Sequence, residues 1–137
     1  MPYRIGIIGL GKIARDQHIP SIQANPAFEL VAASNQRSIG LEGVPHAFSD
    51  YRDMLKMPEL DAVAICTPPQ VRHAIARDAL LAGKHALLEK PPAATLSELV
   101  DLEMVAARQG RVLFTTWHAQ YNVGVTEASY RRILEMA

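Results

Sequence analysis

Short, continuous apolar runs alternate along the chain with longer segments in which apolar residues recur at helical spacing. Continuous apolar strands are typical of a parallel sheet that helices cover on both faces. The predicted strands lie near Arg4–Ile8, Glu29–Ala33, Ala62–Cys66, Ala86–Leu88 and Val112–Thr115, with a short extra strand near Ala47–Phe48. The predicted helices lie near Lys12–Gln23, Tyr51–Lys56, Val71–Ala82, Leu96–Gln109 and Val123–Met136. The pattern therefore predicts an α/β fold with a doubly wound parallel sheet.

The ends of several predicted helices have an identifiable cause. Thr95 and Glu98 have the spacing of a capping box, in which each side chain accepts a backbone N–H at the start of the helix. Gly83 and Gly110 follow predicted helices, at the position where a left-handed residue commonly ends a helix. Pro20 lies inside the first predicted helix, and we expect this helix to break or kink there because proline has no backbone N–H.

A glycine-rich segment, GLGKIA at residues 9–14, follows the first predicted strand and opens the first helix. This order is typical of a dinucleotide-binding βαβ unit. Gly9 allows the tight turn, Gly11 lets the backbone approach a pyrophosphate, and Ala14 is small enough for the helix to pack on the strand. An ordinary glycine turn and a methyltransferase loop are the competing interpretations. A methyltransferase usually has an acid at the end of the second strand, which is absent here, so a Rossmann-type domain is favoured.

Composition narrows the class of protein. The 137 residues suffice for one compact domain, and about half of them are apolar. Basic and acidic residues balance to a formal charge of zero without a basic cluster, which argues against nucleic acid and membrane surfaces as partners. Cys66 is the only cysteine, and no stretch has the pattern of a signal peptide or a membrane span. We therefore expect a cytoplasmic protein.

The end of the second predicted strand bears on the choice of dinucleotide. NAD sites usually place an acidic residue there to bind the ribose 2′-hydroxyl. This chain instead has Ser34, Asn35 and Arg37, all of which can donate a hydrogen bond to a phosphate. A polar turn without further function would have a similar composition. We expect NADP to be slightly favoured over NAD, and use of both stays open.

Proline-anchored segments follow the fourth and fifth predicted strands, where a parallel sheet binds its ligands. Thr67 and Pro68 form a stiff turn that can be a wall for the cofactor, or simply a rigid connection to the next helix. Lys90 can donate a proton or orient a hydroxyl through its charge, although most lysines are solvated surface residues. Glu89 can pair with a cofactor hydroxyl or with Lys90.

The end of the sixth predicted strand supplies two further candidates. His118 can hydrogen-bond a sugar hydroxyl and Trp117 can form an apolar platform, although the two can equally be a partly buried structural pair. The other histidines share no metal-ligand spacing with Cys66 or the carboxylates, so we expect no metal site. No set of residues resembles a nucleophile with its base.

Taken in this order, these signals resemble the N-terminal domain of the glucose–fructose oxidoreductase, inositol dehydrogenase and rhizopine-catabolism (Gfo/Idh/MocA) family. The resemblance extends from Tyr3 to about Ala128. It rests on GLGKIA at 9–14, the interrupted helix with His18 and Pro20, TPP at 67–69, AGKH at 82–85 and EKP at 89–91, the last being the family's most specific signature. Within the family, GKIARDQH, LEKPP and TWH look like the bacterial aldose 1-dehydrogenases.

The resemblance implies hydride transfer between C1 of a cyclic aldose, D-galactose or L-arabinose, and C4 of nicotinamide, which produces a lactone. It implies that Lys90 is the active-site lysine, that His118 contacts the sugar and that Ser34 contacts a 2′-phosphate. Asn35 stands where NADP-using relatives usually have arginine, and Arg37 follows two residues later. The further implied cofactor contacts are Gly9, Gly11, Lys12, Ile13, Thr67, Pro68 and Glu89.

Members of the family continue into a second α/β domain, which completes the sugar site and forms the dimer, and which is absent from this chain. We therefore expect an NAD(P)-binding Rossmann domain over residues 1–120, followed at 121–137 by a helix that would lead into the missing domain. The chain alone should be weakly active or inactive, because cofactor binding without substrate positioning does not lower the chemical barrier. The alternative is a stand-alone, non-catalytic NAD(P)-binding module for redox sensing or interaction. A third interpretation is structural, in which the last helix drives self-association.

Overall fold

Six strands form a single parallel sheet in the computed structural model, which describes residues 1–116. Across the sheet their order is β3-β2-β1-β4-β5-β6, and every neighbouring pair is parallel. This is the strand order of a Rossmann fold, so the predicted fold class is confirmed. The strands are β1 (Tyr3–Ile8), β2 (Phe28–Ser34), β3 (His46–Phe48), β4 (Ala62–Ile65), β5 (His85–Leu88) and β6 (Leu113–Thr115).

Helical segments connect the strands. A π-helical turn (Ala14–His18) runs into α1 (Ile19–Ala24), and the further helices are α2 (Tyr51–Leu55), α3 (Pro69–Leu81) and α4 (Leu96–Gln109). No helix within residues 1–116 is both long enough and apolar enough to cross a membrane. Trp117, His118, the helix predicted over Val123–Met136 and the domain boundary predicted at residue 120 all lie outside the described residues.

The interruption predicted at Pro20 takes the form of the π-helical turn that precedes it. The N–H of Ile19 donates to the carbonyl of Ala14, five residues back, in place of the usual four. Pro20 then lies in the first turn of α1, where its missing N–H leaves no hydrogen bond unmade. The helical segment therefore continues to Ala24, and His18, the last residue of the π turn, lies within reach of the residue that follows β5.

Most of the predicted helix ends are observed. Gly83 and Gly110 have φ angles of 80° and 62°, and Gly110 is the left-handed residue that ends α4. At the start of α4 the hydroxyl of Thr95 accepts the N–H of Glu98 at 3.2 Å, as predicted. The Glu98 carboxylate accepts instead from Ala94, one residue before the position that a capping box predicts. Both side chains still satisfy backbone donors that the helix leaves free.

The core lies on both faces of the sheet, as a doubly wound fold requires. On one face, buried residues of β4 and β5 such as Ile65 and Leu88 pack with Leu80 of α3 and Leu102 of α4. On the other face, Ile7 of β1 packs in a second cluster whose other buried members are Ile5, Ala14, Ile22, Leu30, Ala33 and Ala64. Burial on both faces explains why the central strands are continuously apolar. Because the strands are parallel, the loops that follow them lie along one edge of the sheet.

Candidate functional site

The glycine loop begins where β1, β2 and β4 end next to one another. Gly9 has a φ of +89°, a conformation that L side chains rarely adopt, and its N–H donates to the carbonyl of Ser34 at 2.9 Å. A Cβ at Gly9 would lie 3.1 Å from the carbonyl carbon of Cys66 and 3.1 Å from the nitrogen of Thr67. Glycine is therefore required here for two reasons, the backbone conformation and the close approach of the loop that follows β4.

Gly11 lies in a different environment. Apart from its chain neighbours, no described residue has an atom within 4 Å of a Cβ built at Gly11, and its φ is not in the left-handed region. The helical segment that starts beside it has Ile13 at its N-cap, and no side chain caps that end. Open space beside an uncapped helix N-terminus fits a pyrophosphate, which binds the exposed N–H groups and the positive end of the helix dipole.

Charged side chains surround this loop on the first turns of the helix. The ammonium of Lys12 pairs with the carboxylate of Asp16, one turn further along, and both are exposed. Arg15 reaches back so that its Nε donates to the carbonyl of Leu10 at 3.0 Å. Two cations and one anion therefore leave a net positive charge beside the space at Gly11, as an anionic ligand requires.

The loop after β2 holds the residues that the sequence associates with the choice of dinucleotide. Ser34 is buried at the end of the strand, whereas Arg37 is exposed. The side-chain oxygen of Asn35 accepts the N–H groups of Arg37 and Ile39, and its amide nitrogen donates to the carbonyl of Ile39 at 2.8 Å. The Asn35 side chain is thus engaged in shaping the loop. Of Ser34, Asn35 and Arg37, only Arg37 is exposed, so its N–H donors are accessible to a ligand.

Glu89 follows β5 and is only 6% exposed. One carboxylate oxygen accepts from Nε2 of His18 at 2.9 Å and from the hydroxyl of Thr116 at 2.9 Å. The other accepts the backbone N–H of Lys90 at 3.0 Å. Burial by itself raises the pKa of Glu89, but the hydrogen bonds from His18, Thr116 and Lys90 outweigh it, so this pKa lies below its ordinary value. Glu89 is therefore a buried, ionised centre that joins the first helix, β5 and β6.

Lys90 extends from the same strand end toward solvent. Among residues 1–116 its ammonium has no hydrogen bond or ion pair, in contrast to its backbone N–H, which Glu89 binds. The peptide bond between Lys90 and Pro91 is cis. A free ammonium at the carboxyl edge of a parallel sheet is in the position where such folds bind their ligands.

Arg72, which the sequence analysis did not single out, lies behind these loops. It is only 3% exposed, and its guanidinium donates to the carbonyls of Thr67, Glu89 and Pro91, the bond to Glu89 being 2.5 Å long. Burial lowers its pKa from the ordinary value, while the negative charge of Glu89 opposes this shift. Helical spacing was the available signal, because position 72 falls on the same face of α3 as the apolar residues Ile75, Ala76 and Ala79.

The loop between β4 and α3 completes the candidate site. Burial raises the pKa of the Cys66 thiol to about 12, so the thiol stays protonated at neutral pH, which makes it a poor nucleophile. The Thr67 hydroxyl is buried and has no hydrogen-bond partner within residues 1–116. Pro68 precedes α3, which starts at Pro69, two residues earlier than predicted, because proline suits the first turn of a helix.

A cleft of about 480 Å³ lies between the first helical segment and the ends of β5 and β6. Glu89, His18 and Thr116 are among its polar lining residues, together with Gln17, Ser21 and Asn25 of the first helical segment and the turn after it, and Ile13 also lines it. Thr116 is the last described residue, and the predicted sugar contacts Trp117 and His118 lie outside the described residues. Within the described part of the chain, no three His, Cys, Asp or Glu residues cluster closely enough to hold a metal ion.

Replacing Glu89 with glutamine should lower the free energy of unfolding at pH 7 by about 1–3 kcal/mol, because it weakens three hydrogen bonds to a buried carboxylate. The pKa of Glu89 is lowered in the folded state, so its contribution is present above the unfolded-state pKa of about 4.3 and is lost as the pH falls below it. Urea unfolding at pH 7, 5 and 3 should therefore show the difference between wild type and variant shrinking toward pH 3. The same series on Glu103→Gln, an exposed position of α4, should show little change. A difference in the free energy of unfolding between wild type and Glu89→Gln that is independent of pH would contradict this explanation.

The glycine loop, the strand order and the EKP segment agree with a comparison against known families. Residues 3–117 match the model of the GFO_IDH_MocA oxidoreductase family, described as having an NAD-binding Rossmann fold. The chain belongs to this family. The match covers all of the described residues from β1 onward, so the resemblance predicted from the sequence is confirmed.

Similar individual proteins support the same family assignment. The chain is 51% identical over 98 residues to galactose 1-dehydrogenase of Pseudomonas fluorescens, an alignment that covers 71% of this chain and 32% of that protein. The crystal structure of a D-galactose 1-dehydrogenase from Rhizobium etli superposes with a TM-score of 0.85 at 48% identity, over 95% of this chain and 42% of that one. A 3-ketoreductase from Actinomadura kijaniata, solved with TDP-benzene and NADP, superposes with a TM-score of 0.84 at 26% identity, over 99% of this chain and 43% of that one. The chain thus spans about a third of the length of the curated Pseudomonas relative.

Proposed function

We propose that this chain is the cofactor-binding part of an NAD(P)-dependent aldose 1-dehydrogenase, with D-galactose as the first candidate substrate and L-arabinose as the second. The observation that carries the proposal is the 51% identity to the Pseudomonas galactose 1-dehydrogenase, which is far above the identity to family members of other named activities. The ammonium of Lys90, which has no partner within residues 1–116, lies at the ligand-binding edge and supports the same assignment.

In this proposal the glycine loop and the loops after β2 and β4 hold the dinucleotide. Gly9 and Gly11 let the backbone approach the pyrophosphate, while Lys12 and Ile13 supply the start of the helix. Ser34, Asn35 and Arg37 border the adenosine ribose, and Thr67 and Pro68 form the opposite wall. A bound dinucleotide would supply the hydride acceptor, C4 of its nicotinamide.

Lys90 acts on the sugar. As the hydride leaves C1 of the aldose, the proton of the C1 hydroxyl must also leave. Lys90 either takes up this proton as the neutral amine and passes it on to water, or orients the hydroxyl as the ammonium through its charge. Glu89 holds the Lys90 backbone by accepting its N–H. His118 and Trp117, which lie outside the described residues, are the proposed contacts to the hydroxyl groups and to the apolar face of the sugar. The product would be the lactone.

Fluorescence titrations of the chain with NADPH and NADH test the cofactor-binding step, and saturable binding of either supports it. The second step is tested by steady-state turnover of D-galactose, L-arabinose and D-glucose by the complete gene product that contains this chain. We expect galactose or arabinose to be oxidised at a kcat/KM well above that of glucose. Saturable dinucleotide binding without turnover of any aldose would favour the non-catalytic redox-sensing or interaction module instead.

The choice of dinucleotide is tested through Arg37. We expect Arg37→Ala to weaken NADPH binding about tenfold and NADH binding less than about twofold, because a charge-assisted bond to the 2′-phosphate is worth roughly 1.5 kcal/mol or more. Arg52→Ala on α2 is the matched control, since Arg52 is also exposed and pairs with an aspartate. An equal loss for both dinucleotides would remove Arg37 from the discrimination between them.

A further inference from the structure

We propose that Arg72 is a positioning residue for Lys90, and that it does this by binding the peptide carbonyls on both sides of that lysine. The inference rests on the proposed function, because it gives Arg72 a task in the reaction. One guanidinium nitrogen donates to the carbonyls of Glu89 and Pro91, which flank Lys90 in the chain. The Lys90 N–H is itself bound by the Glu89 carboxylate. The backbone that carries Lys90 is therefore held at three consecutive residues.

This arrangement matters because the Lys90 side chain is long and has no partner within the described residues. A free lysine side chain explores many rotamers, so the place of its Cα and the direction of its Cβ limit where the ammonium can reach. In hydride transfer, a displacement of about 1 Å in a reacting group can cost about a hundredfold in rate. Fixing the backbone at Glu89, Lys90 and Pro91 prevents such a displacement of the Lys90 Cα, without any contact between Arg72 and the substrate.

The second guanidinium nitrogen of Arg72 donates to the carbonyl of Thr67, in the loop that follows β4. The loop proposed as a cofactor wall and the loop that bears Lys90 are thereby joined through one rigid, planar group. Lysine could not replace it, since an ammonium is a point charge on a flexible stem and lacks the guanidinium fork. Arg72 can thus set the distance between the wall and Lys90.

A merely structural anchor is the competing explanation. The neighbouring positions on the buried face of α3 are apolar, and they fill the core without a charge. Burying a guanidinium costs free energy that an apolar side chain at the same position would not. All three acceptors that this cation binds belong to the two loops of the site. That distribution favours a role in the site over a role in packing.

A double-mutant cycle on the complete gene product separates the two explanations. We expect Arg72→Lys to lower kcat for aldose oxidation about 10- to 100-fold, with the sugar KM and the dinucleotide Kd changed less than about threefold. In the Lys90→Ala background, Arg72→Lys should lower kcat by less than about twofold, because the residue it positions is gone. Arg77→Lys, an exposed position on the same helix, should leave kcat unchanged in both backgrounds. An equal fold-loss from Arg72→Lys in the two backgrounds would overturn the proposal.

Amide hydrogen exchange on the chain itself supplies a readout that does not depend on turnover. In Arg72→Lys we expect the Lys90 amide to exchange at least about tenfold faster, and the amide of Val105 in the core of α4 to keep its rate. Unaltered exchange at Lys90 would overturn the proposal even if activity falls. If the wild-type protein oxidises no aldose, the proposed function fails, whereas the exchange result still decides whether Arg72 holds the Lys90 backbone.

Discussion

Lys90→Ala is expected to lower kcat for aldose oxidation by about 10²- to 10⁴-fold, the usual contribution of a positioned acid–base group. The dinucleotide Kd should change by less than about threefold, because the ammonium contacts no described residue and the glycine loop is formed without it. Stability should also be retained, since the Lys90 side chain is exposed. The measurement is steady-state kinetics on the complete gene product, together with fluorescence titration of NADPH and NADH.

Two controls make the Lys90 result interpretable. Lys90→Met keeps the length and the apolar stem of the side chain and should lose as much kcat as the alanine variant, which assigns the loss to the ammonium. Lys56→Ala removes an exposed lysine directly after α2 that pairs with Asp53, and it should leave kcat unchanged. If Lys90→Ala weakens dinucleotide binding by as much as it lowers kcat, Lys90 is a cofactor contact and not a catalytic residue.

The second large effect is expected at the two glycines of the loop, which should respond in opposite ways. Gly9→Ala should lower the free energy of unfolding by about 2–4 kcal/mol, because a left-handed alanine costs about 1–2 kcal/mol and its Cβ would be forced against the backbone of Cys66 and Thr67. Gly11→Ala should leave stability unchanged or raise it by up to about 1 kcal/mol, since nothing occupies the place of its Cβ.

Dinucleotide binding, unlike stability, should be impaired by the substitution at Gly11. Gly11→Ala should weaken NADPH and NADH binding by at least about tenfold, or 1.4 kcal/mol, because the new methyl group fills the space proposed for the pyrophosphate. Urea unfolding and fluorescence titration on the same samples test both halves of this prediction. Gly83→Ala serves as a control for strain away from the site, because Gly83 has a φ of +80° but no neighbour within 4 Å. Unaltered binding in Gly11→Ala would place the pyrophosphate elsewhere.

Local patterns in the sequence accounted for much of the fold. Apolar runs located all six strands of the described sheet. For β1, β2 and β4 the reason is burial on both faces, which leaves a continuous signal, whereas the short β3 and β6 are only partly buried or exposed. The glycines that end α3 and α4 have the expected left-handed conformation. Two features that differ from the prediction also have a local cause. The π turn before Pro20 and the shifted partner of Glu98 depend on backbone alternatives that differ little in energy, so the residue pattern does not select between them.

The candidate site divides in a similar way. Gly9, Gly11 and Lys90 were predicted as site residues from the sequence, because a glycine loop after a strand and a lysine between a strand and a proline are signals carried by adjacent residues. Asn35 was interpreted as a potential phosphate donor, and the structure shows its amide engaged within the loop. Arg72 was missed because its spacing along α3 indicates burial but does not indicate which groups it would meet there.

The sequence by itself determined the fold class, the family and the strand ends at which chemistry is expected, since these depend on periodicity and on short runs of neighbouring residues. Only the tertiary structure decided which side chains meet behind those strand ends. His18 and Glu89 are 71 residues apart in the chain, and Arg72 joins two loops. Such contacts depend on how the first helix and α3 cross the sheet. The packing of the whole core sets the angle and position of each crossing, and no local sequence pattern encodes that packing.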